Sequence, residues 1–174
     1  MVTLKGANIY LRALEPEDLN FIYEIENNEN IWEISHTQTP YSRYLIKQYL
    51  ENAHKDIYEV KQLRLVITSY NERPLGLIDI FNFDFQHKKA GIGILINEIE
   101  DRGKGIGSEA LKLLIDYCFE HLGLHQLYCN VAEENRASIQ LFKKFGFNEV
   151  GLKKDWFMSN GTYKNEYLFQ LINN

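Results

Sequence analysis

The chain reads as one α/β domain built on a mixed sheet, and three features of the sequence predict it. The alternating run Ala90 to Ile96 leads into Asp101-Arg102-Gly103-Lys104-Gly105-Ile106-Gly107-Ser108-Glu109, which opens onto a helical stripe of Ile106, Ala110, Leu113, Leu114, Tyr117 and Cys118. Strand-like and helix-like segments succeed one another in the order β-α-α-β-β-β-α-β-α-β-β, a mixture that calls for a sheet covered by helices. No linker, repeat or low-complexity stretch interrupts the 174 residues, so the domain runs from 1 to 174.

Taken in order, Asn8 to Leu14 alternates and predicts the first strand. Glu15-Pro16-Glu17-Asp18 then starts a helix, with proline in the first turn and acids at the positive end of the dipole. Leu19, Ile22, Tyr23 and Ile25 form its apolar stripe. The polar stretch Asn27 to Thr39, broken by Ile31, Trp32 and Ile34, reads as a loop that either shapes access to a site or is pinned to the core by Trp32. A second helix is expected from Ser42 to about Lys55. Gln62 to Tyr70 and Leu75 to Phe85 are strands joined by the turn Asn71-Glu72-Arg73-Pro74. After Ala90 to Ile96 and the glycine loop, the long helix ends near Leu122-Gly123, where glycine suits the cap. Gln126 to Ala132 is a strand, Asn135 to Lys144 a short helix, and Val150 to Met158 with Thr162 to Ile172 a hairpin about Asn160-Gly161.

The strand, glycine loop and helix N-terminus together suit phosphate oxygens. Absent side chains admit an anion to the backbone, and the free N–H groups of the first helical turn point at it. Spacing excludes two such sites. Gly107 is followed by Ser108-Glu109, not the Lys-Ser/Thr of a P-loop, and Gly103-x-Gly105-x-Gly107 is not the dinucleotide fingerprint Gly-x-Gly-x-x-Gly. Taken alone, the loop would also serve as a simple glycine-rich helix start.

Composition narrows the function. The 45% hydrophobic and 25% charged content is that of a soluble globular chain, and a net charge of −5 argues against nucleic acid while suiting a cationic substrate. No apolar run is long enough to span a bilayer and the N-terminus lacks a signal core, so no membrane partner is expected. Cys118 and Cys129 both fall in apolar-periodic contexts and read as buried, reduced thiols, which predicts a cytoplasmic protein. The five histidines at 36, 54, 87, 121 and 125 form no ligand pair on one helix, so no metal site is expected.

Arg102-Gly103-Lys104-Gly105-Ile106-Gly107 resembles the Arg/Gln-x-x-Gly-x-Gly/Ala signature of the Gcn5-related N-acetyltransferase (GNAT) family. A second segment, Val131 to Phe147, resembles the family's Asn-x-x-Ala/Ser…Gly-Phe run through Asn135, Ser138, Gly146 and Phe147. Together with the order of elements, the resemblance covers the whole chain. It implies a mixed, mostly antiparallel central sheet with splayed fourth and fifth strands, flanked by helices, and transfer of an acetyl group from acetyl-CoA directly to a primary amine. Within the family, Leu122 to Tyr128 and Asn160-Gly161-Thr162-Tyr163 look closer to bacterial spermidine/spermine acetyltransferases, whereas Ser138 matches a serine of the ribosomal-protein N-terminal acetyltransferases. Two features depart from the polyamine pattern: Phe142 replaces a tyrosine, and Thr37-Gln38-Thr39 replaces a Glu-Glu pair before Pro40-Tyr41. A non-catalytic acyl-CoA-binding protein, or an unrelated nucleotide-binding domain, are the alternatives. Whether the chain forms a homo-oligomer is left open.

The resemblance implies roles residue by residue. The coenzyme is expected on backbone groups of Ile94 and Ile96 and on the amides of Gly103, Lys104, Gly105, Ile106, Gly107 and Ser108, with Arg102 adding charge beside the pyrophosphate. Asn135 is expected on the pantetheine amides or, equally, as a helix cap; Phe142 is expected against the coenzyme without a hydroxyl to offer. An amide near Ile94 would hold the oxyanion. Asp79, on the face of its strand opposite Ile78 and Ile80, is the candidate base, and Ser138 the candidate acid or a coenzyme contact, with Tyr128 and Tyr163 as other hydroxyls. Gly91 stands where relatives often carry glutamate.

Overall fold

The computed structural model describes residues 2–174. Its strands are β1 (Ile9–Ala13), β2 (Leu63–Ser69), β3 (Pro74–Asp84), β4 (Lys89–Ile96), β5 (Gln126–Ala132), β6 (Asn148–Ser159) and β7 (Thr162–Ile172). They form one sheet in the order β1-β2-β3-β4-β5-β7-β6. Every neighbouring pair is antiparallel except β4 and β5, which run parallel.

Alternation along the strands sorts side chains into two cores. Leu65, Ile67, Ile78, Ile80 and Ile92 pack on one face beneath the long helix α5 (Ile106–Asp116), through Ala110, Leu111 and Leu114. Val66 and Leu77 lie on the other face beneath α1 (Leu19–Glu26), α2 (Glu29–Ser35) and α3 (Arg43–Glu51), through Ile22, Ile25, Ile31 and Ile46. Truncating such a buried Leu or Ile to Ala typically costs about 2–5 kcal/mol, so each face contributes to stability on its own. Cys118 and Cys129 are buried free thiols, and burial alone pushes the Cys118 thiol up to about 12.

Two helices lie where the sequence predicts irregular chain. The stretch read as a loop contains α2, because Asn28 caps it by accepting from Asn30 N at 3.1 Å and Trp32 Nε1 donates to the Glu26 carbonyl at 2.8 Å. Its seven residues bury only Ile31 fully, too short a stripe for periodicity to register. A single turn, α4 (Ile57–Val60), is capped by Asp56, and α3 stops at Glu51 rather than near Lys55. The helix α6 (Arg136–Lys144) and the β6–β7 hairpin match expectation. Asn160 and Gly161 both take positive φ, 50° and 75°, the conformation this tight turn requires. Beyond α5, a π-helical turn covers Tyr117–His121 before Gly123. Among the described residues, no helix is long and apolar enough to cross a membrane.

Candidate active site

The parallel pair β4–β5 holds together over only three registers, Lys89↔Gln126, Ala90↔Leu127 and Gly91↔Tyr128. Beyond them the strands part, as the resemblance implies, and leave a cleft of about 770 Å³. Ladder alternation decides what the parted strands offer. Asn97 N donates to the Leu75 carbonyl at 2.9 Å, which makes the odd-numbered positions of β4 those bonded to β3. The even-numbered backbone groups of β4 therefore turn toward β5; the Gly91↔Tyr128 register uses the N–H of Ile92, and past it no strand meets the N–H and C=O of Ile94 and Ile96. By the same logic, Asn173 N to His125 O and Glu133 N to Asn165 O turn Asn130 and Ala132 of β5 toward β4. Ile94 thus has a backbone amide free at the cleft, as an oxyanion donor requires.

The glycine loop closes one end of this geometry. Gly103 and Gly105 take φ of 73° and 84°, and nothing lies within 4 Å of where a Cβ would stand on either. Gly105 is the N-cap of α5 and no side chain caps the helix, so its first-turn N–H groups are open to an anion. Three cations flank it. Arg102 and Lys104 come from the loop, while Lys144 arrives from the end of α6, its Nζ donating to Ser108 Oγ at 3.3 Å. Lys144 was not foreseen, because only the packing of α6 beside α5 brings it there. Arg102 differs from expectation in detail: its guanidinium donates to the carbonyls of Ile96 at 3.1 Å and Asn97 at 3.3 Å, tying the loop to the end of β4. The acid in the first turn, Glu109, is turned away, accepting from Asn8 N at 2.8 Å and Asn8 Nδ2 at 3.0 Å. Burial works against its ionisation, but these N–H donors prevail and hold its carboxyl below the usual range. An open, cationic helix start facing free β4 backbone fits a coenzyme pyrophosphate and pantetheine arm.

Most of the expected side chains converge on the cleft. Asp79, Ile94, Asn135, Ser138 and Phe142 all line it; Ile96 and the loop from Arg102 to Ser108 lie outside its lining. Asn135 is the N-cap of α6, its Oδ1 accepting from Ser138 N at 3.2 Å, so only its Nδ2 group is left for pantetheine. Among the described residues, no hydrogen bond occupies the Ser138 hydroxyl. Phe142 is buried, 3% exposed, and meets Phe147 edge-on at 5.1 Å. Tyr128 and Tyr163 are outside the lining; Tyr128 OH accepts from Asn82 Nδ2 at 3.2 Å and Tyr163 lies exposed near the tip of the β6–β7 hairpin. Gly91 has a steric reason: a Cβ there would lie 2.2 Å from the Phe81 ring.

Asp79 lies on the expected face but is not free. Arg64 Nε donates to its Oδ1 at 2.8 Å and Arg64 Nη2 to its Oδ2 at 3.1 Å, while Arg64 Nη1 donates to Glu26 Oε1 at 3.0 Å. Burial disfavours the guanidinium charge, yet the two carboxylates outweigh it and hold Arg64 firmly protonated. With both oxygens engaged, Asp79 is placed to hold Arg64 rather than to collect a proton. Five further charged or titratable cleft residues were missed: Glu33, His36, Glu134, Lys153 and Glu166. A polar residue within the alternating last strand, Glu166 between Asn165 and Tyr167, was the one available signal.

A glycine loop opening on an uncapped helix, beside a strand whose backbone is laid bare by a splayed neighbour, defines an acyl-coenzyme A-dependent N-acetyltransferase. Residues 8–148 match the Acetyltransferase (GNAT) domain family, and the chain belongs to that family. It is 32% identical over 168 residues to a spermidine N(1)-acetyltransferase of Vibrio cholerae, with 95% of each chain covered. It is likewise 32% identical over 158 residues to a spermidine N(1)-acetyltransferase of Escherichia coli, covering 91% of this chain and 82% of that one. The crystal structure of the Vibrio cholerae spermidine N-acetyltransferase in complex with CoA and spermine superposes with a TM-score of 0.85 at 30% identity, covering 96% of both chains.

Proposed function

We propose that this enzyme acetylates a primary amine of a polyamine, and that it does so in the cytoplasm. The observation that carries the reading is the charge of the cleft. Five carboxylates, Glu26, Glu33, Asp79, Glu134 and Glu166, line it against three cations, Arg64 and Lys153 in the lining and Lys164 beside Glu33 and Glu134, so negative charge is in excess. A long, flexible polycation gains from several spaced carboxylates, whereas a single terminal ammonium needs one. The similarity to two spermidine acetyltransferases over nearly the whole chain supports the same substrate class.

In this reading the loop amides from Gly103 to Ser108, flanked by Lys104 and Lys144, hold the pyrophosphate. The bare edge of β4 aligns the pantetheine arm, and the Ile94 amide receives the charge that builds on the carbonyl oxygen. Ser138 stands at the cleft as the hydroxyl nearest in role to an acid for the leaving thiolate, which is itself a fair leaving group near neutral pH. The test is free-thiol release from acetyl-CoA with spermidine, spermine, an N-terminal peptide, an amino sugar and an aminoglycoside. The polyamines are expected to give the highest kcat/KM, with a product heavier by one acetyl group. A preference for the peptide or for either sugar amine overturns the polyamine assignment.

A further inference from the structure

Asp79 and Glu26 are bound to Arg64, and Glu33 and Glu134 both lie on Lys164, whose Nζ is 2.6 Å from Glu33 Oε1 and 2.7 Å from Glu134 Oε2. Lys153 Nζ lies 2.7 Å from Glu166 Oε2. Once these pairs are set aside, one titratable side chain among the described cleft residues is left outside them, the imidazole of His36, 54% exposed. It is the C-cap of α2 in the left-handed conformation, φ 55°, and it lines the cleft. The ring meets Phe157 edge-on at 5.0 Å, and Nε2 lies 3.6 Å from Oε1 of Glu166. Glu166 is 5% exposed and belongs to β7, opposite Ala132 on the strand that borders the cleft. A buried carboxylate facing one nitrogen of an imidazole, whose other edge faces solvent and cleft, is the arrangement that orients a histidine base and stabilises its charged form.

We infer that His36 is the proton acceptor of the reaction and Glu166 its positioning residue, an inference that builds on acetyl transfer to an amine but not on which amine. The substrate arrives as an ammonium ion. One of its three protons passes to neutral His36 and on to water at the mouth of the cleft. The freed lone pair forms the carbon–nitrogen bond at the thioester carbonyl, and the carbon–sulfur bond breaks with its electrons going to sulfur. The thiolate takes a proton from the Ser138 hydroxyl, which is refilled by the second proton from nitrogen, and the third stays on the amide. The charged groups facing the ring are Glu166 from β7 and, behind it, Lys153 from β6; Glu33 on α2 and Glu134 are held by Lys164.

The pH profile of kcat/KM for the full chain, with acetyl-CoA and spermidine, tests this. Wild type is expected to lose activity as pH falls through the imidazole range, because protonated His36 accepts nothing. His36→Gln is expected to abolish that limb and lower kcat about a hundredfold or more, with coenzyme affinity by calorimetry unchanged. Glu166→Gln removes a charge that favours imidazolium, so the limb should move to lower pH with a smaller loss of rate. His36→Gly, which keeps the backbone φ of 55°, should regain turnover when free imidazole is added. An activity within twofold of wild type in folded His36→Gln, an unchanged acidic limb in that variant, or a His36→Gly variant deaf to imidazole each overturns the assignment. If wild type ignores spermidine but acetylates another amine, the polyamine reading alone fails, and the same three variants are judged on the amine that reacts.

Discussion

The two sides of the cleft are built on different principles. On the coenzyme side, the expected contacts are main-chain groups: open amides of the glycine loop and the bare edge of β4, with cations as an outer fringe. On the acceptor side the surface is side chains, apolar ones such as Ile31, Trp156 and Phe157 set around charged ones that are nearly all tied into pairs drawn from elements far apart in sequence. The difference teaches where specificity can drift. A site made of backbone survives substitution of most of its residues so long as the loop can take its φ angles. A site made of paired charges changes whenever one partner changes, because the other is then left without its counter-ion.

The sharpest way to break the acceptor side is Arg64→Met. It strands Asp79 and Glu26 together without their shared cation, and removing one partner of a partly buried charge network should cost about 2–3 kcal/mol. Thermal unfolding should fall accordingly, and the KM for the amine should change while coenzyme affinity does not. Equal damage to both affinities would show that the two sides are not separable.

The coenzyme side is probed by Gly105→Ala. At φ 84° a methyl is strained though nothing crowds it, so the loop should relax at about 1 kcal/mol or more and acetyl-CoA binding weaken several-fold. Unchanged affinity in a folded variant removes this loop from the coenzyme site.

Between the two sides stands Phe142. If the thiolate departs without help from this position, Phe142→Tyr should alter turnover by less than about tenfold, roughly 1.4 kcal/mol of barrier, and Ser138→Ala should cost more than the tyrosine gains. Activity that appears only with the tyrosine, alongside a harmless Ser138→Ala, would point instead to a protein that binds acyl-CoA without turning it over.

The smallest effect is in the scaffold beneath the loop. Arg73 donates to both oxygens of Asp101 at 2.9 Å, and this holds the Asp101 carboxyl below the usual range. A depressed carboxyl pKa contributes stability that is fully present above the ordinary value near 4 and is lost as pH falls through the folded value. Asp101→Asn should therefore lower stability slightly at neutral pH, leave it nearly unchanged at low pH, and so flatten the acid limb of the profile. An identical limb in the variant would place the acid sensitivity elsewhere, for instance at Asp18. There burial raises the carboxyl pKa, but the Arg12 and Glu15 donors outweigh it and hold it low.

What the chain states locally was legible from residues alone. The alternation of Leu75 to Phe85, the glycines at 103 and 105, and Asn160-Gly161 each dictate a backbone conformation that depends on a few neighbours. The sheet, the anion-binding helix start and the hairpin followed from them. The Asn135 cap was legible in the same way, since its partner is three residues on. Tertiary structure decided who meets whom. Asp79 looked like a free carboxylate until the β2–β3 register placed Arg64 opposite it. Lys144 reaches Ser108 only through helix packing, and His36 faces Glu166 only because a seven-residue helix, too short to leave a periodic trace, folds across the cleft onto β7. Backbone conformation is a short-range property. The partner of a charged side chain is set by strand register and layer packing, which no local window of sequence contains.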